Sequence, residues 1–213
     1  MASQLSINGF VLAGGRSSRM GQEKGLMRLG KKPLVLLAAD IMKPFVRQVA
    51  LLAPASRYEH LGLPTISDLP LDECPLTALC TGLTFTDADW NVFLACDLPL
   101  VSAGFMQLLV ERIRATQAEA VVPRTRDGWQ PLAAAYHVRC KLPFRQALVK
   151  GQRSIRGLFN RIRVDSITAH ELAAAGVGAA ELFNVNTPEE WARVKRLHRR
   201  ARNPASSQRA ERD

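Results

Sequence analysis

The chain has 213 residues, of which 47% are hydrophobic, 23% charged and 6% aromatic, enough for one substantial core and unlike either a disordered or a fibrous protein. No stretch approaches the roughly twenty uninterrupted apolar residues of a membrane span, and MASQLSINGFVLAGG lacks the basic leader of a secretory signal, so the expected location is the cytoplasm, with no membrane partner. Twenty-nine Lys and Arg against nineteen Asp and Glu give a net charge of +10, which suits a nucleotide, a phosphorylated substrate or a nucleic acid.

Residues 7–13 form an apolar run stopped by Gly14 and Gly15, the pattern of a buried strand that ends in a glycine loop. The loop GGRSSRMGQEKG leads to 26–29, a turn at Gly30 and Pro33, after which 34–42 repeat apolar residues at helical spacing until Pro44. Residues 46–53 read as a second buried strand, 63–67 as a short third one ending at Asp68, and 75–85 as a helix. Residues 92–96 are a compact strand running into Asp97-Leu98-Pro99, and Ser102 caps a helix that extends to Thr116. Further strands are expected at 120–123 and 132–136, separated by the turn Arg126-Asp127-Gly128. Helices at 141–150 and 154–160 and a strand at 162–164 precede an Ala/Gly-rich linker. Residues 182–186 read as a last strand, and Thr187-Pro188-Glu189-Glu190 forms a capping box that opens the last helix.

Strands alternating with helices in this way predict an α/β fold: a doubly wound, mostly parallel sheet with helices on both faces. One domain is expected over 1–202, followed by a disordered basic tail at 203–213, NPASSQRAERD, which has no periodicity. Between Arg193 and Arg202 there are six basic residues and no acid, so more than half of the charge excess lies near the C-terminus and says little about the core domain. Ligands of such sheets bind outside the carboxyl ends of the strands, where strand order reverses. Gly14, Asp68, Asp97 and Asn186 all follow predicted strands and can line one crevice.

The segment LAGGRSSRMG followed by Lys24-Gly25 reads as a phosphate cradle, since glycines admit backbone N–H groups to phosphate oxygens and the nearby cations offset charge. It matches neither G-x-x-x-x-G-K-[ST] nor G-x-G-x-x-G, and an ordinary glycine turn with solvated basic residues accounts for the same letters. Asp97 at a strand end is the best magnesium ligand in the chain, because a hard cation bridging phosphates takes a carboxylate on a rigid element. A turn or helix cap is the competing role for Asp97 and for Asp68. Asn184 and Asn186 alternate with Phe183 and Val185, so a strand turns both amides to one side. Arg124, Arg126, Arg153, Arg156, Arg161 and Arg163 are the other concentrated positive charge; they either hold an acceptor's phosphate or form a solvated basic face. The four cysteines have no C-x-x-C spacing, and the four histidines share no metal-site spacing.

With these residues in place, the chain resembles the molybdenum cofactor guanylyltransferases from about residue 7 to 197. The resemblance is carried by LAGGRSSRMGQEKG at 12–25, KPL at 32–34, ISD at 66–68, ACDLP at 95–99, QPL at 130–132, GQRSIR at 151–156 and FNVNTPEEW at 183–191. It implies the Rossmann-like fold of nucleotide-diphospho-sugar transferases. It also implies transfer of GMP from GTP to the phosphate of molybdopterin, or of its molybdenum form, with release of pyrophosphate. By the same resemblance GTP lies on Leu12, Ala13, Gly14, Lys24, Asp68 and Asp97, and Asp97 also holds Mg2+. Arg19 and Asn186 match polar positions around the reacting phosphates. Asn184, Asn186, Arg153 and Arg156 are candidate contacts for the acceptor or a second metal.

This sequence departs from the family where Cys74-Pro75-Leu76-Thr77-Ala78 replaces Gly-Pro-Leu-x-Gly, and where Ala53 stands in place of an asparagine. The expected chemistry is in-line attack by the acceptor phosphate on the α-phosphorus, with Lys24 and Arg19 stabilising the departing pyrophosphate and no side-chain base required. Alternatives are a CTP-using molybdopterin cytidylyltransferase and a non-catalytic nucleotide- or nucleic-acid-binding protein; no specific nucleic acid is expected. Molybdoenzyme apoproteins or their chaperones are the expected recipients of the product.

Overall fold

The apolar run that follows Ser6 becomes β1 (Ile7–Leu12), buried at every position. It forms the centre of a computed structural model that describes residues 5–13, 23–67, 69 and 74–202. After a short 3-10 turn at Lys24–Leu26 come β2 (Arg28–Leu29) and β3 (Lys32–Pro33), a small antiparallel ribbon, and then α1 (Leu34–Met42). The chain continues through β4 (Val49–Leu52), α2 (Ala55–Tyr58), β5 (Thr65–Ile66), α3 (Pro75–Phe85), β6 (Trp90–Ala95) and α4 (Ala103–Ala115). Next are β7 (Ala120–Thr125), β8 (Gly128–Trp129), β9 (Ala133–His137), α5 (Lys141–Val149), β10 (Val164–Thr168), α6 (Ala169–Ala174) and α7 (Pro188–Arg202).

Seven of these strands lie in the order β10-β7-β9-β6-β1-β4-β5, with β8 paired to β7. β9 runs antiparallel to both β6 and β7, and β8 antiparallel to β7; the remaining strands run in one direction. The chain leaves β1 toward β4 and β5 and then returns to place β6 on the other side. The strand order therefore reverses between β1 and β6, and a crevice at that point is where such sheets bind ligands.

Side chains alternate between two apolar layers, as the period of a strand requires. From β1, Ile7 and Val11 enter the layer shared with α1, α4, α6 and α7, whereas Phe10 and Leu12 enter the layer shared with α3 and α5. In the second layer a run of rings crosses the sheet. Phe10 stacks on Phe93 at 5.2 Å, Phe93 meets Tyr136 at 5.9 Å, and Tyr136 meets Phe144 of α5 at 5.4 Å. Each fully buried ring of this kind contributes about 1.5–3 kcal/mol through its area alone. Ser102 caps α4 by accepting the Phe105 N–H at 3.2 Å, as its position predicts. Among the described residues, no helix is long and apolar enough to cross a membrane.

Four local expectations are corrected. Residues 154–160 do not form a helix but a single 3-10 turn, Arg156–Leu158; Gly157 sits inside it, and so short a segment cannot recover the cost of helix nucleation. The strand expected at 162–164 is instead Val164–Thr168, pairing in parallel with β7 from Val164↔Ala120 to Thr168↔Arg124. Its Asp165, Ser166 and Thr168 concealed it, because an edge strand need not be an apolar run. The Ala/Gly-rich linker contains α6, opened by a reciprocal capping box between Thr168 and Glu171. Residues 182–186 are not a strand. Leu182 and Val185 are the buried pair, three apart rather than two, and Asn184 is exposed.

Gly82 on α3 lies against the ring stack: a Cβ there would come within 2.6 Å of Phe93 Cε1, 2.8 Å of Phe93 Cζ and 3.2 Å of Phe10 Cδ2. Those rings are held on their other sides, so Gly82→Ala should cost about 1–3 kcal/mol by overpacking. Urea unfolding of the two proteins at equal temperature measures it, and an unchanged midpoint would show that the layer can shift.

Glu171 gives a pH signature. Hydrogen bonds from the Thr168 hydroxyl and N–H, and from the Arg112 guanidinium, hold its carboxyl at about 2 against an ordinary 4.5. Because the folded value is depressed, the contribution is full above the ordinary value and is lost as pH falls through the folded one. Glu171→Gln should therefore lower the stability at pH 7, by no more than about 1 kcal/mol for a solvent-screened pair. That deficit should close as the pH is taken from about 4.5 toward 2, as thermal melts across the range would show.

Candidate active site

The crevice at the reversal point begins with backbone. The Leu12 C=O accepts the Cys96 N–H at 3.0 Å on one side, and the Ala13 N–H reaches the Leu52 C=O at 3.1 Å on the other. The end of β1 is thus stitched to the strands on both flanks, and Leu12 and Ala13 are buried. The register Leu12↔Ala95 places Asp97 beside the point where β1 ends.

Two other segments close on Asp97. Its C=O accepts the Val185 N–H at 2.9 Å, which draws the approach to α7 onto the end of β6. From the 3-10 turn after the glycine loop, Lys24 Nζ donates to Asn186 Oδ1 at 2.7 Å and stands 3.9 Å from Asp97 Oδ2. Asn186 is held by the start of α7: Glu190 Oε2 accepts the N–H groups of Asn186 at 2.6 Å and of Thr187 at 2.9 Å, while the Thr187 hydroxyl accepts the Glu190 N–H at 3.2 Å. The capping box expected at 187–190 is therefore present, and it also orients an amide in the crevice.

Asp97 is the electrostatic centre of this arrangement. Its Oδ1 is buried and has no hydrogen-bond partner among the described residues. Burial pushes its carboxyl above the usual carboxylate range, the Lys24 ammonium and the local backbone N–H draw it back down, and nearby Glu190 raises it further. A buried anionic oxygen without a donor is costly and gains from a cation. Among the described residues no group of three or more His, Cys, Asp and Glu forms a protein cage. A single carboxylate of this kind fits a hard divalent ion whose remaining ligands are phosphate oxygens and water.

A second cleft, of about 190 Å³, is lined by Pro75, Pro131, Leu132 and the run Arg153-Ser154-Ile155-Arg156. The Arg156 guanidinium donates to the Trp129 C=O at 3.1 Å, which fixes it on the cleft wall. Cys74, where the family pattern has glycine, sits at the N-terminus of α3 with its sulfur 3.4 Å from the Thr77 hydroxyl.

Of the residues singled out in the sequence, Leu12, Ala13, Lys24, Asp97 and Asn186 come together. Arg153 and Arg156 share the second cleft, and Asn184 is exposed two residues before Asn186. Gly14, Arg19, Asp68 and the tail at 203–213 lie outside the described residues. Glu190 was visible only as a cap, and Tyr58 and Glu23, which meet beside Lys24, were passed over. Glu23 reads in sequence as spacing between Gly21 and the lysine, and no periodicity marks Tyr58.

Comparison with known proteins identifies the family and the fold. The sequence profile described as "MobA-like NTP transferase domain" matches residues 9–167. A "Probable molybdenum cofactor guanylyltransferase" of Trichormus variabilis is 32% identical over 196 residues, covering 89% of this chain and 91% of that protein. A "Molybdenum cofactor guanylyltransferase" of Yersinia pestis is 33% identical over 201 residues, covering 91% of this chain and 98% of that protein. The crystal structure of "Molybdopterin-guanine dinucleotide biosynthesis protein A" from Archaeoglobus fulgidus superposes with a TM-score of 0.78 over 89% of this chain and 97% of that one. At 24% identity that likeness speaks for the fold. The chain belongs to the MobA-like NTP transferase family and is a nucleotidyltransferase.

Proposed function

We propose that this nucleotidyltransferase moves GMP from GTP onto the phosphate of molybdopterin, free or carrying molybdenum, releasing pyrophosphate and forming the guanine dinucleotide, with Mg2+ as its metal. The single observation that carries the reading is the buried, donorless Asp97 Oδ1 next to the Lys24–Asn186 pair at the point of strand reversal. The guanylyltransferase names of the relatives from Trichormus variabilis and Yersinia pestis support guanylyl transfer as the member of the reaction class.

In this reading Asp97 holds the magnesium ion, which supplies charge neutralisation on the triphosphate when bound. Leu12, Ala13 and Gly14 offer backbone to the nucleotide, and Asp68 accepts from the base. Lys24 and Arg19 stabilise charge on the departing pyrophosphate. Asn186, oriented by Glu190, fixes the Lys24 ammonium through its 2.7 Å bond and leaves its amide nitrogen for a phosphate oxygen. The acceptor enters by the second cleft, where Arg153 and Arg156 receive its phosphate. Asn184 is a further acceptor or metal contact. The attacking monoester is already a nucleophile at neutral pH, so the protein's share of catalysis is alignment and charge stabilisation. One catalytic domain spans 1–202, the tail at 203–213 is dispensable, the enzyme works in the cytoplasm, and molybdoenzyme apoproteins or their chaperones take the product.

The test is reaction of the purified protein with Mg2+, molybdopterin and each of GTP, CTP, ATP and UTP, with pyrophosphate release and the mass of the dinucleotide as readouts. GTP should be preferred over CTP by about 10-fold or more in kcat/KM, the discrimination available to a site that pairs with base N–H groups. Preferential use of CTP would replace guanylyl by cytidylyl transfer. Asp97→Asn should lower kcat by about 100-fold or more and should abolish most of the Mg2+ dependence of GTP binding. Its melting temperature should stay near that of the wild type, because asparagine keeps the shape and the lost pairing with Lys24 at 3.9 Å is offset by relief of a buried, donorless oxygen. An active Asp97→Asn protein with normal Mg2+ dependence would refute the assignment.

A further inference from the structure

Tyr58 is fully buried at the end of α2, the four-residue helix that follows β4 through Ala53 and Pro54. Phenylalanine would fill the same volume, so a buried hydroxyl at this position calls for partners. It has two. The hydroxyl donates to Glu23 Oε1 at 3.0 Å, and the Ala13 carbonyl oxygen lies 3.4 Å away as a weaker second acceptor. Ala13 follows β1 and Glu23 precedes Lys24, so one side chain touches the chain just before and just after the segment 14–22. Gly25 completes the seat: a Cβ there would fall 2.6 Å from the Tyr58 hydroxyl oxygen and 2.8 Å from Val35 Cγ1. Only a residue without a side chain allows so close an approach.

Arg57, on the same short helix, also reaches the Glu23 carboxylate. Arg57 Nη1 reaches Oε1 and Oε2 of Glu23 at 3.2 and 3.1 Å, but the Arg57 side chain is 58% exposed, and a pair of that kind holds geometry weakly. The Tyr58 hydroxyl, shielded from water, is the firmer tie. Beyond Glu23 the chain makes its 3-10 turn, with the Leu26 N–H on the Glu23 C=O at 3.1 Å and the Met27 N–H on the Lys24 C=O at 3.0 Å. Lys24, on that turn, is the residue whose ammonium must stand between Asp97 and Asn186.

We infer that Tyr58 is a positioning residue: its buried hydroxyl ties Glu23 to the end of β1 and so sets where the Lys24 ammonium stands relative to Asp97 and Asn186. The inference rests on the roles proposed above for Lys24 and Asp97, and it adds a residue that touches neither substrate nor metal. Alignment is the main catalytic resource here, and misplacement by about 1 Å can cost about 100-fold in rate; a loosened tie should cost less.

Tyr58→Phe, Glu23→Ala and the double variant test it, at a temperature where circular dichroism shows all of them folded. Each single variant should lose about 10-fold in kcat, with KM for GTP moved less than kcat. The double variant should be no worse than the poorer single, because both break one link. Hydrogen exchange at the Leu26 and Met27 amides should quicken in both singles, a readout that needs no turnover. Wild-type protection at those amides in Tyr58→Phe overturns the tie, and lost protection with unchanged kcat overturns the positioning role. Multiplying losses in the double variant also overturn it, by showing two independent defects. If the wild-type chain turned over no GTP, the guanylyltransferase reading would fall, and the exchange rates would still decide whether Tyr58 anchors the turn.

Discussion

Everything in the crevice depends on the parallel pairing of β1 with β6. Parallel strands adjacent in space but distant in sequence need a crossover, and here the crossover contains β4, β5 and α3, so the chain returns to β1 on its opposite flank. The result is a gap between the helices on either side of the reversal, floored by the ends of two fully buried strands. The register Gly9↔Val92 through Leu12↔Ala95 then decides which residues reach the rim. A slip of one residue would turn Phe10 and Phe93 out of their layer, so the ring stack that stabilises the sheet also fixes Asp97 beside Ala13.

The segments that meet on this floor are far apart in the chain, and each arrives with its own local constraint. Lys24 comes on a 3-10 turn, Asp97 on the end of a central strand, and Asn186 immediately before a capped helix. None of these constraints is long-range by itself. They become a site because the Val185 N–H closes on the Asp97 C=O and the Lys24 ammonium closes on the Asn186 amide. Among the described residues, specific polar contacts join these segments above a platform that is apolar and redundant. Substitutions in the platform should mostly be read out as stability, and substitutions in the contacts as rate.

The parts legible in the sequence were those governed by local chemistry. The apolar runs at 7–13 and 92–96, the helix at 34–42, the Ser102 cap and the 187–190 capping box all carry their signal within a few residues. Asp97 was legible as the residue after a central strand and Lys24 as part of the glycine-loop segment; Asn186 is brought to them by the Val185 N–H on the Asp97 C=O, not by the strand its alternation suggested. What was lost depended on partners elsewhere. β10 is recognisable as a strand only from its pairing with β7, and its polar residues belong to an edge. Residues 182–186 looked like a strand because Asn and apolar residues alternate there, but no strand lies alongside, and burial follows Leu182 and Val185 instead. Tyr58 was invisible for a similar reason: a buried hydroxyl announces itself only through acceptors 35 and 45 residues away.

The charge balance around Asp97 shows why a basic protein has an acidic spot at its centre. The net +10 suggests strong attraction for anions, yet much of the excess lies along α7, where Arg193, Lys195, Arg196, Arg199 and Arg200 are exposed. Among the described residues, the Asp97 carboxylate lies 3.9 Å from the Lys24 ammonium, and Glu190 adds to the rise of the Asp97 carboxyl. Glu190 Oε2 accepts both N–H groups at the start of α7, so a carboxylate stands close to Asp97, where it disfavours a second anion. On the assignment proposed above, Asp97 would hold a divalent cation that compensates its buried oxygen and offsets Glu190, and Lys24 would then be left for phosphate oxygens. On that assignment a triphosphate carrying its cation would remove the repulsion between Asp97 and Glu190, whereas one without it would meet the buried carboxylate uncompensated.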